Sequence, residues 1–287
     1  MANKIECLPQ KDSRVKNPLG IASDYSNYLS VQGISKSFPK GKKSNIQVLD
    51  NVFFTGSKER ITGLLGPAGG GKSTILRIVA GLEKADRGQV VCDGAKVIGP
   101  GRDRGMVFQQ YTCFPWLTVL QNIEYGLRIN GDRDSIRSGI AKYFLERVKL
   151  QEFSNSYPNQ LSGGMRQRVS IARVMATYPS LLIMDEPFGA LDPETRWQMQ
   201  EMLLEIIAKE KTTVLLVTHD IDEAIFLGDQ IIFLSKNPGK VRETLKPEFK
   251  NLVKPRKKEE LYDTVGHREL EHHIIGLMRS EGCSANS

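Results

Sequence analysis

One glycine-rich segment carries the residue types that bind phosphate groups. Residues 66–74 read Gly-Pro-Ala-Gly-Gly-Gly-Lys-Ser-Thr and complete the pattern G-x-x-x-x-G-K-S. Glycines tolerate positive φ and let backbone N–H groups approach an anion, and the start of a following helix adds a partial positive charge. The run Ile61–Leu65 before the loop is strand-like, and residues 75–80 after it suit a helix. This strand–loop–helix context predicts a site for a nucleoside triphosphate.

Two side chains of this phosphate loop have separate predicted tasks. Lys72 can reach the β and γ oxygens of a nucleotide, and the Ser73 hydroxyl can bind Mg²⁺. An ordinary glycine-rich turn with a coincidental lysine is the alternative, and the flanking strand and helix argue against it. The residues predicted to bind the nucleotide are Gly66, Pro67, Ala68, Gly69, Gly70, Gly71, Lys72, Ser73 and Thr74.

A pair of acidic residues supplies the groups that hydrolysis requires. Four apolar residues, 181–184, are followed at once by Asp185 and Glu186. A buried strand of this kind places Asp185 at its C-terminal end, where ligands bind in open α/β sheets. We predict that Asp185 holds Mg²⁺ there and that Glu186 orients or deprotonates the attacking water. A surface Asp-Glu pair at the end of a strand is the alternative.

A single histidine ends a third apolar run. Residues 214–217 lead directly into Thr218, His219 and Asp220. A lone histidine is usually structural or exposed, so His219 taken by itself indicates little. The end of a central strand is nevertheless a position from which a side chain could reach the γ-phosphate. With the other motifs present, we predict that His219, Glu186 and Lys72 are the catalytic residues.

The elements that must position these residues can be predicted from the pattern of apolar residues. Several short runs are apolar at odd and even positions alike, as in strands of a parallel sheet that is covered by helices on both faces. They are residues 61–65, 181–184, 214–217 and 231–234. Residues 29–34 and 48–54 read as half-buried strands. Residues 111–179 have mainly helical patterns and predict a helical subdomain inserted into an α/β core.

The boundaries follow from the changes in composition. We expect a polar, flexible leader over residues 1–27, a catalytic domain over 28–250 and a tail over 251–287. Within the tail, residues 259–281 could form one or two surface helices.

The bulk composition excludes more than it identifies. Lysine and arginine total 40 against 33 acidic residues, which gives a formal charge of +7, and a basic cluster lies at residues 254–258. This charge alone does not decide between nucleic acid, anionic lipid and neither. No apolar run is long enough to span a bilayer, and the N-terminus lacks a secretory apolar core, so we expect a cytoplasmic protein.

The segment Leu161-Ser162-Gly163-Gly164-Met165-Arg166-Gln167-Arg168 resembles the signature of ABC ATPases. Physically it is a second anion site, because a serine and two glycines open a helix whose N–H groups point outward. A chain with a phosphate loop needs no second site of this kind. The resemblance implies that two cassettes face each other, so that Ser162, Gly163 and Gly164 of one bind the ATP of the other.

The other family elements occur in order, and the resemblance runs from about residue 29 to residue 245. It implies that Phe38 stacks on adenine, that Gln109 senses Mg²⁺ and the γ-phosphate, and that Asp192 lies at the dimer seam. It also implies the P-loop NTPase fold of an ABC cassette, which has a parallel-sheet core, an N-terminal antiparallel β part and an inserted helical subdomain. Two departures, Ala68 for serine and Met165 for glutamine, remove no catalytic group.

Three further segments, 114–119, 161–169 and 235–241, resemble the importers of nitrate, sulfonate, taurine and bicarbonate. This resemblance implies Mg²⁺-ATP as cofactor, membrane permease subunits, a second cassette (identical or different) and an extracytoplasmic substrate-binding protein as partners. It also implies a peripheral place on the cytoplasmic face of the inner membrane. Trp116 either lines the groove that receives a permease helix or is a core residue of the helical subdomain.

Other functions remain alternatives at this stage. An exporter or lipid-handling cassette shares the same chemistry and differs only in its partner. A DNA-associated ABC ATPase is suggested by the basic charge, but such proteins insert coiled coils or zinc modules between phosphate loop and signature. Here about 90 residues separate Lys72 from Leu161, without heptads or cysteine clusters, so no nucleic-acid partner is expected. A translation factor of this family would carry two cassettes, and one is present.

Overall fold

The structure is a computed structural model that describes residues 27–41, 44–110, 112–251, 262, 264 and 266–283. The predicted leader up to residue 26 and the basic cluster 254–258 lie outside the described residues. None of the helices described is both long and apolar enough to cross a membrane.

The strands are β1 (Asn27–Lys40), β2 (Ser44–Ser57), β3 (Ile61–Leu65), β4 (Arg87–Cys92), β5 (Ala95–Lys96), β6 (Arg104–Val107), β7 (Leu181–Asp185), β8 (Thr213–Val217), β9 (Gln230–Leu234) and β10 (Val241–Leu245). The α-helices are α1 (Lys72–Ala80), α2 (Val119–Asn130), α3 (Asp134–Arg147), α4 (Gly163–Met175), α5 (Pro193–Glu210), α6 (Ile221–Leu227) and α7 (His267–Cys283).

The central sheet has six strands in the order β10-β9-β3-β8-β7-β6. All neighbours run parallel except β10, which pairs antiparallel with β9. The four strands predicted from apolar runs, β3, β7, β8 and β9, are all present and adjacent to one another. Strand β6 at the sheet edge was not predicted, because Arg104 and Gly105 leave it only two apolar residues.

Both faces of this sheet are covered, which explains why consecutive strand residues are apolar. In β7, Leu181 and Ile183 pack with α1 and the antiparallel sheet, whereas Leu182 and Met184 pack with the helices on the other side. The same alternation continues along β8. The sheet is therefore a central layer, and the carboxyl ends of its strands are fixed in position by two packed cores.

A second sheet of four strands, β2-β1-β4-β5, packs over α1 and pairs antiparallel throughout. Its strands include the two predicted at residues 29–34 and 48–54, and both extend beyond those bounds. A register shift between Val31 and Ile34 keeps both side chains buried, although their spacing does not fit strict alternation.

Helices α2, α3 and α4 lie between β6 and β7 in the chain, and they pack against one another as a helical layer. Asn122 is fully buried on α2, and Gly126 of the same helix lies so close to Thr177 that an added Cβ would meet its methyl carbon at 2.5 Å. The expectation that a serine and two glycines open a helix in this region agrees with the structure. Gly163 and Gly164 form the first turn of α4, and Ser162 is its N-cap.

One or two surface helices were predicted in the C-terminal segment, and its described residues include helix α7. Helix α7 begins at His267, and its Ile274 and Leu277 are buried in the same core as α4 and α5. Arg242 of β10 donates to Glu281 Oε1 at 2.7 Å. The helix is thus packed onto the catalytic body through apolar and charged contacts.

Candidate functional site

The phosphate loop connects β3 to α1 in a conformation that only glycine accepts easily. Gly71, the residue before α1, has φ 78°, and an added Cβ there would meet a Leu49 methyl carbon at 2.4 Å. No side chain caps the start of α1, whereas Thr118, Ser162, Asp192 and Asp220 each cap another helix. The first N–H groups of α1 are therefore left to an anion.

Lys72 is the first residue of α1 and is 7% exposed. Its ammonium donates to the carbonyl oxygens of Gly66 at 2.8 Å and Pro67 at 2.9 Å, so the side chain folds back over the loop. Burial lowers the pKa of Lys72, and the carboxylates of Glu186 and Asp185 oppose that shift. The cation therefore lies within the loop that it is predicted to serve.

Two oxygen groups from distant parts of the chain meet beside the loop. Ser73 donates its hydroxyl to Asp185 Oδ1 at 3.1 Å. Burial raises the pKa of Asp185, while the bond from Ser73 lowers it. A hydroxyl and a carboxylate are hard oxygen ligands of the kind that Mg²⁺ prefers, so the donor set fits that ion.

Two predicted residues, Gln109 and His219, converge on one carboxylate oxygen of a third, Glu186. Gln109 donates its amide Nε2–H to Glu186 Oε2 at 3.1 Å, and His219 Nδ1 lies 3.2 Å from the same oxygen. The histidine side chain is 62% exposed and that of Glu186 23% exposed, so the cluster opens to solvent. Glu186 follows Asp185 directly, which brings this cluster next to the Ser73–Asp185 pair.

Glu186 has a backbone conformation that is uncommon outside glycine. Its φ is 45°, and its N–H donates to the carbonyl oxygen of Val217 on the neighbouring strand at 2.9 Å. The chain therefore turns sharply at the end of β7 while it is still held to β8. Strained conformations of this type often occur at functional sites, where the surrounding structure maintains them.

Ser162 and Asp192, two other predicted site residues, form hydrogen bonds within their own helix starts. Ser162 Oγ accepts from Met165 N at 3.3 Å, and Asp192 Oδ1 accepts from Thr195 N at 2.9 Å. The bond from that N–H lowers the pKa of Asp192. Within the described part of the chain, no side-chain hydrogen bond or ion pair joins Ser162, Asp192 or Phe38 to the loop.

Ser162 and Asp192 begin two helices that touch each other. Gly164 in the first turn of α4 lies against Thr195 of α5, where an added Cβ would meet the threonine methyl at 2.6 Å. Phe38, by contrast, is half-buried on β1, with the Lys36 ammonium 5.1 Å from its ring centre. Its contact with adenine stays a prediction.

The exposure of Trp116 distinguishes between the two interpretations of this residue. Its side chain is 69% exposed, so the alternative of a core residue was wrong. It stacks on Phe114 with ring centres 5.5 Å apart, and Phe114 stacks on Tyr125 at 4.3 Å.

Comparisons with known proteins identify the family. A sequence profile described as "ABC transporter" matches residues 49–189. The nitrate import ATP-binding protein NrtD of Synechocystis is 43% identical over 218 residues, which cover 76% of this chain and 82% of the relative. This chain belongs to the ABC transporter family. The aliphatic sulfonates import ATP-binding protein SsuB of Bacillus cereus is also 43% identical, over 230 residues that cover 80% of this chain and 89% of the relative.

Solved structures agree with this assignment. The dimeric cassette MJ0796 bound to ADP and Pi superposes with a TM-score of 0.68 at 34% identity, covering 76% of this chain and 98% of that one. The predicted ABC cassette fold is therefore confirmed. This ABC protein is a nucleotide-binding ATPase coupled to transport, as predicted.

The cassette also contains polar links that sequence reasoning missed. Gln167, fully buried on α4, donates Nε2–H to the carbonyl oxygen of Pro187 at 2.8 Å, next to Glu186. Arg196 on α5 donates to Asp220 Oδ2 at 3.0 Å, beside His219. The signal for Gln167 was its place in the signature segment, whereas Arg196 had none.

A buried carboxyl lies one helical turn beyond the histidine. Glu223 on α6 is 3% exposed, and its Oε2 accepts from Gln200 Nε2 at 3.3 Å. Burial, and secondarily the charge of Asp220, raise the pKa of Glu223 to about 8. The other carboxyl oxygen of Glu223, Oε1, and the amide oxygen of Gln200 are both buried without a hydrogen-bond donor. A proton on Glu223 supplies a donor that this pair lacks.

Proposed function

We propose that this chain is the ATP-hydrolysing subunit of an importer for a small anion, of the nitrate, bicarbonate or sulfonate/taurine type, and that it acts on a separate permease. The observation that carries the hydrolytic part is the convergence of Gln109 and His219 on Glu186 beside the Ser73–Asp185 pair. The names of NrtD and SsuB, both import ATP-binding proteins, support the importer part.

The proposed roles follow from the chemistry of each group. The loop N–H groups and Lys72 hold the β- and γ-phosphates. Glu186 orients the attacking water and accepts its proton, and His219 and Gln109 fix the carboxylate from two sides. Ser73 and Asp185 hold Mg²⁺, which, when bound, neutralises charge on the phosphate oxygens.

Two copies of the cassette complete the proposed site. Ser162 and the first N–H groups of α4 form a second anion site in addition to the phosphate loop. In a two-fold dimer, the α4 start of one subunit binds the γ-phosphate held by the other. Asp192, which caps the adjacent helix, then lies near the seam. The partner is an identical or a related cassette.

The proposed contact with the permease is an exposed aromatic patch beside Gln109. Its members are Phe108, Trp116, Phe153 and Tyr157, which are 37% to 69% exposed. Backbone bonds from Val119 to Ser156 and from Leu120 to Ser154 bring together the segments that carry Trp116, Phe153 and Tyr157. A patch of this kind suits an apolar helix end of a membrane protein. This contact holds the cassette at the cytoplasmic face of the membrane, and the permease in turn meets an external substrate-binding protein.

Uptake of labelled nitrate, bicarbonate, taurine and an alkanesulfonate tests the proposal. A strain that expresses this chain is compared with a strain that expresses only Glu186→Gln at equal protein level. We expect the variant strain to lose one uptake activity, which would also name the cargo. If all four activities are unchanged, the importer assignment is wrong, and export or lipid handling becomes the function to test.

A further inference from the structure

Arg173 on α4 holds the segment that follows Gln109. Its Nη1 donates to the Thr112 carbonyl oxygen at 2.7 Å, and its Nη2 donates to the Thr112 hydroxyl at 2.6 Å. The same guanidinium lies over the Phe114 ring, with its carbon 4.9 Å from the ring centre. A guanidinium is planar and can donate two bonds while it stacks on a ring, which an ammonium cannot do. One side chain thus fixes both ends of residues 112–114 to α4.

Neighbouring contacts attach the same segment to the helical layer. Cys113 Sγ donates to the Arg166 carbonyl oxygen on α4 at 3.4 Å. Asn122 on α2 accepts from Phe114 N at 2.8 Å and donates to the Phe114 carbonyl oxygen at 3.1 Å. Residues 112–114 therefore move with α2 and α4 if these helices move as a body.

The other end of the connection reaches the hydrolysis site. Gln109 donates to Glu186 at 3.1 Å, and two residues separate Gln109 from Thr112. Three residue steps span at most roughly 11 Å, so Gln109 and Thr112 cannot lie farther apart than that. The bonds of Arg173 join the Thr112 end of this connection to α4.

We propose that Arg173 is a positioning residue that converts a nucleotide-driven shift of Gln109 into movement of the signature residues 162–164. The inference rests on the proposed function, in which those residues bind the ATP of a second subunit. Ten residue steps of continuous helix, about 15 Å, lead from Gly163 to Arg173. A pull at Arg173 therefore moves the N-terminal end of α4, where Ser162 lies.

A second contact joins α4 to the hydrolysis site, so the effect of losing Arg173 can be measured while α4 stays attached there. Gln167 bonds to the Pro187 carbonyl oxygen and holds the middle of α4 near Glu186 without involving Gln109. Loss of the Arg173 contacts leaves that link in place. The signature end then keeps its attachment to the site and loses its response to Gln109.

The experiment uses chains with Glu186→Gln, so that ATP is bound and little is hydrolysed. ATP affinity is measured with a fluorescent ATP analogue on dilute monomer, and the dimer dissociation constant is measured by light scattering with saturating Mg²⁺-ATP. We expect added Arg173→Lys to change the affinity by less than about twofold and to weaken dimerisation about tenfold, the effect of losing one charge-assisted hydrogen bond. A general folding defect would weaken both ATP binding and dimerisation.

Arg128→Lys is the matched control, because Arg128 also lies over an aromatic ring, Tyr125 at 5.3 Å, and makes no hydrogen bond to Thr112. It should leave both quantities unchanged. Thr112→Val removes only the hydroxyl contact and should weaken dimerisation less than Arg173→Lys does. It provides an independent test if Arg173→Lys folds poorly. Parent-like dimerisation of both Arg173→Lys and Thr112→Val overturns the inference alone. A parent that stays monomeric with ATP overturns the shared site, and this inference with it.

Discussion

His219 Nδ1 lies 3.2 Å from Glu186 Oε2, although the two residues end neighbouring strands of the central sheet and are 33 positions apart. That distance makes Glu186 the carboxylate best placed to work with the histidine. A general base contributes about 10²- to 10⁴-fold to a rate. We expect Glu186→Gln to lower ATP hydrolysis by at least about 10²-fold with ATP binding retained. A steady-state phosphate-release assay alongside equilibrium ATP binding checks both.

The control is Glu152→Gln, the same change at an exposed carboxylate on the short helix Gln151–Phe153. It should hydrolyse ATP at the parent rate. Unchanged turnover in Glu186→Gln would remove the residue from its proposed role.

The Ser73–Asp185 pair predicts a specific dependence on metal. If the two oxygens hold Mg²⁺, the ion should tighten ATP binding to the parent chain, and chelation with EDTA should stop hydrolysis. In Asp185→Asn the amide is a weaker ligand, so we expect at least a tenfold loss of the Mg²⁺-dependent gain in affinity, about 1.4 kcal/mol. Titration of ATP with and without Mg²⁺ measures it.

Asp93→Asn makes the same change on an exposed turn and should keep the full Mg²⁺ effect. Equal metal dependence in Asp185→Asn and in the parent would exclude Asp185 as a ligand.

Glu223 predicts how stability changes with pH. Its pKa is about 8 in the folded chain against an ordinary value of 4.5, so the folded state keeps a proton that the unfolded state loses. Stability from this group therefore falls as the pH rises from about 4.5 to about 8, by at most about 1.4 kcal/mol per pH unit. Glu223→Gln removes the titration, so its stability relative to the parent should rise across that range in urea unfolding curves.

Glu83→Gln is the control, because the bond from Lys36 lowers the pKa of Glu83, which is therefore ionised in both states above pH 5. The stability difference between Glu83→Gln and the parent should be constant from pH 5 to 8. A constant difference for Glu223→Gln as well would mean that the folded chain does not hold that proton.

The central strands were predictable because burial on both faces imposes a strong pattern on the sequence. Strands β3 and β8 are buried at every position, and four of the five residues of β7 are buried. Strand β6 was not predicted because an edge strand needs fewer apolar residues. Its Gly105 lies so close to Val174 and Pro179 that a side chain there would collide with them. The local pattern of apolar residues therefore identifies the central strands and misses the strand at the edge of the sheet.

Site residues divide in the same way. Lys72, Ser73 and Asp185 were predictable because phosphate and metal chemistry restricts residue types at fixed short spacings. The links Gln167–Pro187, Arg196–Asp220 and Arg173–Thr112 join residues 20 to 61 positions apart. Such contacts depend on how helices pack, and no local pattern in one sequence records that. For the same reason, the sequence did not predict whether Trp116 is exposed or buried.

Mixed chains test whether one ATP site is built from two subunits. A Ser162→Arg chain keeps its phosphate loop and places a large cation at its signature, while a Lys72→Ala chain keeps its signature and loses the loop cation. In a two-fold dimer of the two, one site has both intact halves and the other has neither. We therefore expect each variant alone to be inactive and an equal mixture to recover about a quarter of the parent activity, because about half of the dimers are mixed and each has one working site. Activity in the mixture no higher than in the separate variants would contradict the shared site, and full parent activity would contradict it as well.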